Sequence, residues 1–341
     1  MRGPKDEVRS ALSKAVVGMG LSAFGRAVFP KEGTTILYGH RIGDDDEGYL
    51  QGLPPRYLEE QIEYLTRHYE VVPLREVTSC LEDGRPVPRR AVVLTFDDGF
   101  RDNLDPGAAI FARYRVPATV FVVTGALTSG ALPWSQRLGV LFQRTTKTEL
   151  RHRIAGPAPL DLTTEPARRA AYLAVKAPIQ KMSREERERV LDDLSVSLDV
   201  EAPRDRMLTW DDARELQAAG VEIGAHTYSH SLLAMVSSAE ARWEMERCRE
   251  DLRERLGIER APFCFPAGSM NAALVGLVRE VGFRSVFQPA RQSRVNSERT
   301  ADPYSLCRIG LPNAPAVELE AELDGPLRAM RAVLHSVWKG N

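Results

Sequence analysis

From Thr34 onward, short apolar runs of strand length alternate with longer stretches of helical periodicity. The runs are TTILYGH (34–40), AVVLTF (91–96), ATVFVVTG (118–125), VEIGAH (221–226), APFCFP (261–266) and RSVFQ (284–288). Strands separated by helices predict an α/β fold with a mainly parallel sheet. The intervening helices carry their own punctuation. Thr209 with Asp212 predicts an N-terminal capping box and Gly220 a stop; Ser237 with Glu240 opens another helix that Gly257 closes. Residues 129–206 break the rhythm. They hold many charges, no strand pattern and a further capping signal at Ser183 and Glu186, which predicts a helical insertion in one βα loop. Loops at the carboxyl ends of parallel strands build active sites, so this insertion is a candidate wall or lid. Residues 313–341 read as one last amphipathic helix.

Residues 1–33 form a separate amino-terminal segment. Ala15 to Phe29 are fairly apolar, but Lys14 and Arg26 flank them, glycines interrupt them, and no small-residue cleavage site follows. The stretch is also too short to span a bilayer. An amphipathic helix packed on the domain is expected, with peripheral contact at a membrane surface as the weaker alternative.

Composition narrows the function classes. The 341 residues carry 46 Lys+Arg against 47 Asp+Glu, a net charge of −1, which lacks the basic excess of a nucleic-acid binder. Cys80, Cys248, Cys264 and Cys307 are far apart and form no CxxC pair, so neither a zinc ribbon nor a disulfide scaffold is encoded. Reduced thiols point to a cytoplasmic protein, with the inner membrane surface as its possible station.

The chemistry collects where strands end. AVVLTF runs into Asp97, Asp98 and Gly99; VEIGA runs into His226 and then His230; TTILYG runs into His40; FCF runs into Pro266, Ala267 and Gly268. In a parallel α/β sheet or barrel these ends converge on one face. Adjacent carboxylates on extended chain point different ways and can take different tasks, although an Asp-Asp-Gly taken alone is better explained by a turn or helix cap. Two histidines four apart suit one side of a helical turn, and with one carboxylate they make a three-ligand metal site with an open position. The same ligand set also serves non-haem iron oxygenases, but those sit on a β jelly roll rather than on alternating strands and helices.

TFDDGF (95–100) and HTYSH (226–230) resemble the first two signature motifs of the NodB-type polysaccharide deacetylases, carbohydrate esterase family 4. The approach MLTWDDARELQAAGVEIGAHTYSH (207–230) resembles that family throughout, and CFPAGSMN (264–271) resembles its Pro-Tyr-Gly motif. The likeness covers 34–312 apart from the insertion. It implies a NodB-like distorted (β/α) barrel and a metal-dependent hydrolase that removes N-acetyl groups from an amino sugar of a polysaccharide or glycoconjugate. By motif, Asp98, His226 and His230 would hold a divalent metal, with zinc expected, and Asp97 would be the base. The Ala267 N–H would help hold the oxyanion, with Pro266 and Gly268 in the same substrate-lining turn. The family's general-acid histidine has two candidates, His335 in AVLH and His40 in ILYGH; the second resembles a permuted branch in which that strand comes first, and is preferred.

The departures from the pattern are specific. Ala267 stands where the family has tyrosine, and Cys264 and Ala261 occupy the neighbourhood of the arginine that usually precedes this motif. Arg308, in LCRIGLP, is the candidate to orient Asp97 instead. No Asp-Trp motif is evident. Trp134 in LPWSQRL is a candidate sugar-binding wall, since aromatic faces pack on pyranose rings. The missing tyrosine and arginine keep a second reading open, a catalytically silent carbohydrate-binding relative.

Overall fold

The computed structural model describes residues 4–28, 33–289, 296 and 302–325. Eight parallel strands form one sheet: β1 (Thr34–Gly39), β2 (Glu70–Val71), β3 (Ala91–Phe96), β4 (Ala118–Val122), β5 (Glu222–Ala225), β6 (Phe263–Cys264), β7 (Val286–Pro289) and β8 (Leu306–Gly310). Their order is β1-β8-β7-β6-β5-β4-β3, and β3 pairs with β1 again, so seven strands close into a barrel. The chain folds as a NodB-like (β/α) barrel. β1 lies along all six residues of β3, so β2 and β4 share its other edge. Closure leaves no long unpaired edge.

Strand alternation sorts the side chains into two cores. Val92, Leu94 and Phe96 of β3 face the surrounding helices, with Leu37, Val120, Val122, Phe263, Val286 and Ile309 in the same cluster. The other parity fills the barrel: Ile36, Ala91, Val93, Phe121, Cys264, Phe287 and Leu306 cluster together. Continuing that inward parity up each strand leads from Ile36 to Tyr38 and His40, from Val93 to Thr95 and Asp97, and from Leu306 to Arg308. The site therefore grows out of the top of the barrel core.

Two strands were not legible as strands. β2 is two residues long, and in β8 a charged residue in mid-strand, Arg308, breaks the hydrophobic signal. Between β4 and β5 lie α6 (Thr124–Ser129), α7 (Trp134–Arg144), α8 (Glu165–Ile179), α9 (Arg184–Leu198) and α10 (Trp210–Ala218). Helices α7, α8 and α9 pack on one another around Leu138, Phe142, Tyr172, Val175 and Leu194, a core of their own. Within 129–206 the structure also forms a small antiparallel ribbon, Glu149–Leu150 with Leu160–Asp161, which the expectation of a purely helical segment missed. The capping signals act as written: Ser183 with Glu186 and Thr209 with Asp212 form capping boxes. Ser237 caps α11 (Ser238–Leu256), and Gly257 ends it at a φ of 68°.

The amino terminus is two helices rather than one: α1 (Pro4–Gly18) and α2 (Leu21–Val28), broken at Gly20, which has a φ of 72°. Both pack on α13 (Ala316–Asp324), which in turn lies on α3 (Pro55–His68). Small residues make the contact, with Ser13, Val16 and Ser22 buried. The large apolar residues Val8, Leu12, Met19, Leu21 and Phe24 are exposed instead. Arg26 and the hydroxyls of Tyr64 and Tyr69 all bond to the Asp324 carboxylate, which fastens α2 and α3 to the end of α13. Among the described residues no helix is long and apolar enough to cross a membrane.

A Cβ on Gly25 would lie 2.2 Å from the carbonyl oxygen of Asp324, a contact with backbone that a rotamer change cannot relieve. Gly25→Ala is therefore expected to lift α2 from α13, lowering stability by about 1–3 kcal/mol and exposing the α1–α2 turn to protease. Unchanged melting and unchanged proteolysis would show that this contact does not hold the terminus.

Candidate active site

The rim at the carboxyl ends of the strands gathers the polar groups. Asp97 directly follows β3 and is 4% exposed. The Arg308 guanidinium grips it with two parallel bonds, Nη1 to Oδ1 and Nη2 to Oδ2, each 2.7 Å. Arg308 is itself buried, donating from Nη1 to the Thr95 hydroxyl at 3.1 Å and from Nη2 to the Cys264 sulfur at 2.8 Å. The rings of Tyr38, Phe121 and Phe287 lie 4.8, 5.6 and 5.5 Å from the guanidinium carbon. Side chains of five other strands thus surround it. Burial pushes the Asp97 carboxyl up, but the Arg308 charge and its hydrogen bonds pull harder the other way and hold it below the usual carboxylate range.

Asp98 leaves the strand with a φ of 76°, a left-handed conformation that turns its side chain away from Asp97's surroundings. Its Oδ1 lies 3.3 Å from His226 Nε2 and 3.1 Å from His230 Nε2. Its Oδ2 accepts from Gln136 Nε2 at 3.2 Å. His226 Nδ1 faces the Cys264 carbonyl at 2.8 Å, which places the ring proton on Nδ1 and turns the Nε2 lone pair toward Asp98. The two imidazoles are 5.1 Å apart between centroids.

The rings do not meet by the expected helical turn. Residues 226–232 are irregular, and Thr227 and His230 adopt left-handed φ values of 66° and 60° that fold the chain back on itself.

His40 follows β1 half-buried, its ring edge-on to Tyr38 at 5.8 Å. Its carbonyl accepts from Asn103 Nδ2 at 2.8 Å. His335, the rival candidate, lies outside the described residues. Pro266, Ala267 and Gly268 form a short turn after β6, with Pro266 buried, Ala267 exposed at a φ of 49°, and Gly268 at 64°.

Trp134 is a correction. It is 2% exposed and its indole N–H donates to the His230 carbonyl at 2.8 Å, so it offers no face to a sugar. It sits behind the histidine loop because its neighbours in α7 bury it in the insertion core.

Several contributors escaped the sequence reading. Thr95 and Gln136 carry no motif signal beyond their neighbours. Cys264 packs in the barrel core, and its sulfur also touches Arg308 and lies 3.8 Å from Asp97 Oδ2. Burial keeps that thiol's pKa raised. Strand parity was the signal available, since Cys264 alternates with Phe263 and Phe265 of the outer core.

Asp98, His226 and His230 pass the test for a cation site. All three ligand atoms lie within 4.8 Å of one another on buried residues. Asp98 Oδ1 is buried without a hydrogen bond although two ring nitrogens crowd it, the signature of an acceptor and two lone pairs facing a common point.

A family model described as polysaccharide deacetylase matches residues 84–286. No curated protein matches the sequence. Among solved structures, a Streptococcus pyogenes deacetylase, PplD, in complex with acetate aligns with a TM-score of 0.57 at 16% identity, covering 87% of this chain and all of that one. IcaB from Ammonifex degensii gives 0.53 at 18% identity, covering 85% and 97%. A de-N-acetylase from Aggregatibacter actinomycetemcomitans gives 0.52 at 16%, covering 84% and 99%. These likenesses establish a shared fold.

Asp102 borders the site beside His40, with Arg41 Nε 3.2 Å from its Oδ2 and Asn103 Nδ2 3.2 Å from its Oδ1. Burial dominates over these partners and pushes its pKa up from 3.8 to about 6. Between those values the unfolded chain ionises while the folded chain keeps its proton, so this group's contribution to stability falls as pH rises, by roughly 2–3 kcal/mol. Asp102→Asn removes that dependence. Urea unfolding of both proteins is expected to show the variant gaining on the wild type from about pH 4 to pH 6; a difference that stays flat would refute the raised pKa.

Proposed function

We propose, from the premise that this chain belongs to the polysaccharide deacetylase family, that it hydrolyses the acetamide of an N-acetylated sugar in a polysaccharide or glycoconjugate. The observation that carries the reading is the division of labour between two adjacent carboxylates, Asp98 turned to the histidine pair and Asp97 clamped by Arg308. Asp98, His226 and His230 would hold a divalent metal, with zinc best suited to one carboxylate and two imidazoles. A cation held there supplies Lewis acidity, polarising the acetamide carbonyl and lowering the pKa of water.

The protein's own groups do the rest. Asp97 stays ionised because Arg308 neutralises it in a buried site, so it can accept the proton of the attacking water. Arg308 points both carboxylate oxygens and fixes their plane. The Ala267 N–H, presented by the turn after β6, serves the developing oxyanion without needing the family's tyrosine. His40 gives its proton to the leaving nitrogen as the C–N bond breaks, releasing acetate and a free amine.

The site test is Asp97→Asn. Turnover is expected to fall by about 10²–10⁴-fold, while zinc binding measured on the same protein stays close to wild type. An active, metallated variant sinks the role of Asp97. Acetate release from a panel of N-acetylglucosamine oligomers and lipid-linked or nucleotide-linked N-acetyl sugars sorts the substrate class, and zinc binding without acetate from any of them favours the silent carbohydrate binder.

We also propose a peripheral contact with the inner membrane surface through α1 and α2, in a cytoplasmic protein. The large apolar residues on the outer face of this pair support the contact, and the buried thiols of Cys80, Cys248 and Cys264 support a reducing compartment. Met19→Ser with Phe24→Ser is expected to reduce cosedimentation with phospholipid vesicles several-fold; a wild-type chain that ignores vesicles of every composition rejects it.

A further inference from the structure

We propose that Arg187, carried by the insertion helix α9, is a positioning residue for His230 and sets the site's affinity for its cation; the inference rests on the metal reading given above. The two histidines are held differently. His226 is oriented through its ring, by the Cys264 carbonyl at Nδ1. His230 Nδ1 is buried with no hydrogen-bond partner among the described residues, so the aim of its Nε2 depends on its backbone. That backbone is left-handed, a conformation that costs a histidine roughly 1 kcal/mol and persists only where the surroundings impose it.

The surroundings are a clamp from the insertion and α11. Trp134 holds the His230 carbonyl. On either side, the hydroxyls of Ser229 and Ser231 each accept from Arg187 Nη2 at 2.8 Å. Each hydroxyl then donates to the Glu244 carboxylate, Ser231 at 2.9 Å, and the Ser229 backbone N–H reaches the same carboxylate at 2.8 Å. Arg187 and Glu244 are both 0% exposed. Two opposite charges are thus joined through the two residues that flank the histidine. The Arg187 guanidinium also lies 5.5 Å from the Trp134 ring, so one cation touches both halves of the clamp. Docking the insertion would need only apolar contacts, which Trp134 and Leu194 already provide; the hydrogen bonds of the fully buried Arg187 among the described residues all leave from Nη2, to the two serines that flank His230.

The test uses the full chain, stripped of metal, with zinc affinity read by competition against a chromophoric chelator well below the melting temperature. Arg187→Met keeps the volume and removes the donors, and is expected to weaken zinc binding by about 10–100-fold. Acetate release should fall with it and recover as zinc is raised. Leu194→Ala, on the same helix but away from the serines, is expected to lower the melting temperature and leave zinc affinity within about twofold, which separates positioning from simple stability. Should Arg187→Met fail to fold, Ser231→Ala removes one bridging hydroxyl and is expected to weaken zinc several-fold. Wild-type affinity in Arg187→Met, or in Ser231→Ala where that stands in, overturns the inference and leaves the metal reading intact. A wild-type chain that binds neither zinc nor another divalent cation overturns both.

Discussion

A positive charge sits in the middle of this barrel, and much else follows from keeping it there. Desolvating a guanidinium costs several kcal/mol, and only a partner of good geometry offsets that. Arg308 receives a bidentate carboxylate, a hydroxyl, a sulfur and three aromatic faces, drawn from β1, β3, β4, β6 and β7. None of these partners is close to it in sequence. The pair forms only when β8 is inserted beside β1 in the register that sets Ile36 against Arg308, which is the same step that closes the barrel. Barrel closure thus brings the guanidinium that keeps Asp97 ionised once it is buried.

The pair also separates two carboxylates that the sequence writes side by side. Asp97 keeps the inward parity of Val93 and Thr95 and meets Arg308. Asp98, one residue on, leaves the strand at positive φ and meets the histidines. Different neighbours, rather than different chemistry, set one carboxylate against a guanidinium and the other against two imidazoles. Cys264 works on both sides: its sulfur touches Arg308 and its carbonyl fixes the tautomer of His226.

The insertion between β4 and β5 has a core of its own, yet its polar residues reach the histidine loop. Trp134, Gln136 and Arg187 touch the His230 carbonyl, the Asp98 carboxylate and the serines around His230. The loop they brace carries two left-handed residues and no regular secondary structure. An irregular segment holds a defined shape when outside groups satisfy its polar atoms, and here those groups come from α7, α9 and α11.

By itself the sequence determined the alternation of strands and helices, the capped helices, and the strand ends at which Asp97, Asp98, His226, His230 and His40 are placed. These are local properties, written in period, caps and short motifs, and they need no knowledge of neighbours. The resemblance in TFDDGF and HTYSH added the family. Tertiary structure alone decided what those groups face. It put Arg308 on Asp97, turned Trp134 from a candidate sugar wall into a brace for His230, brought the Cys264 thiol into the site, and replaced the expected helical turn at His226–His230 by a left-handed loop. The first three are contacts between residues from about forty to more than two hundred positions apart, formed when parallel strands align their ends and the insertion docks on them. Spacing along the chain carries no information about such contacts, because barrel closure and the docking of the insertion choose them.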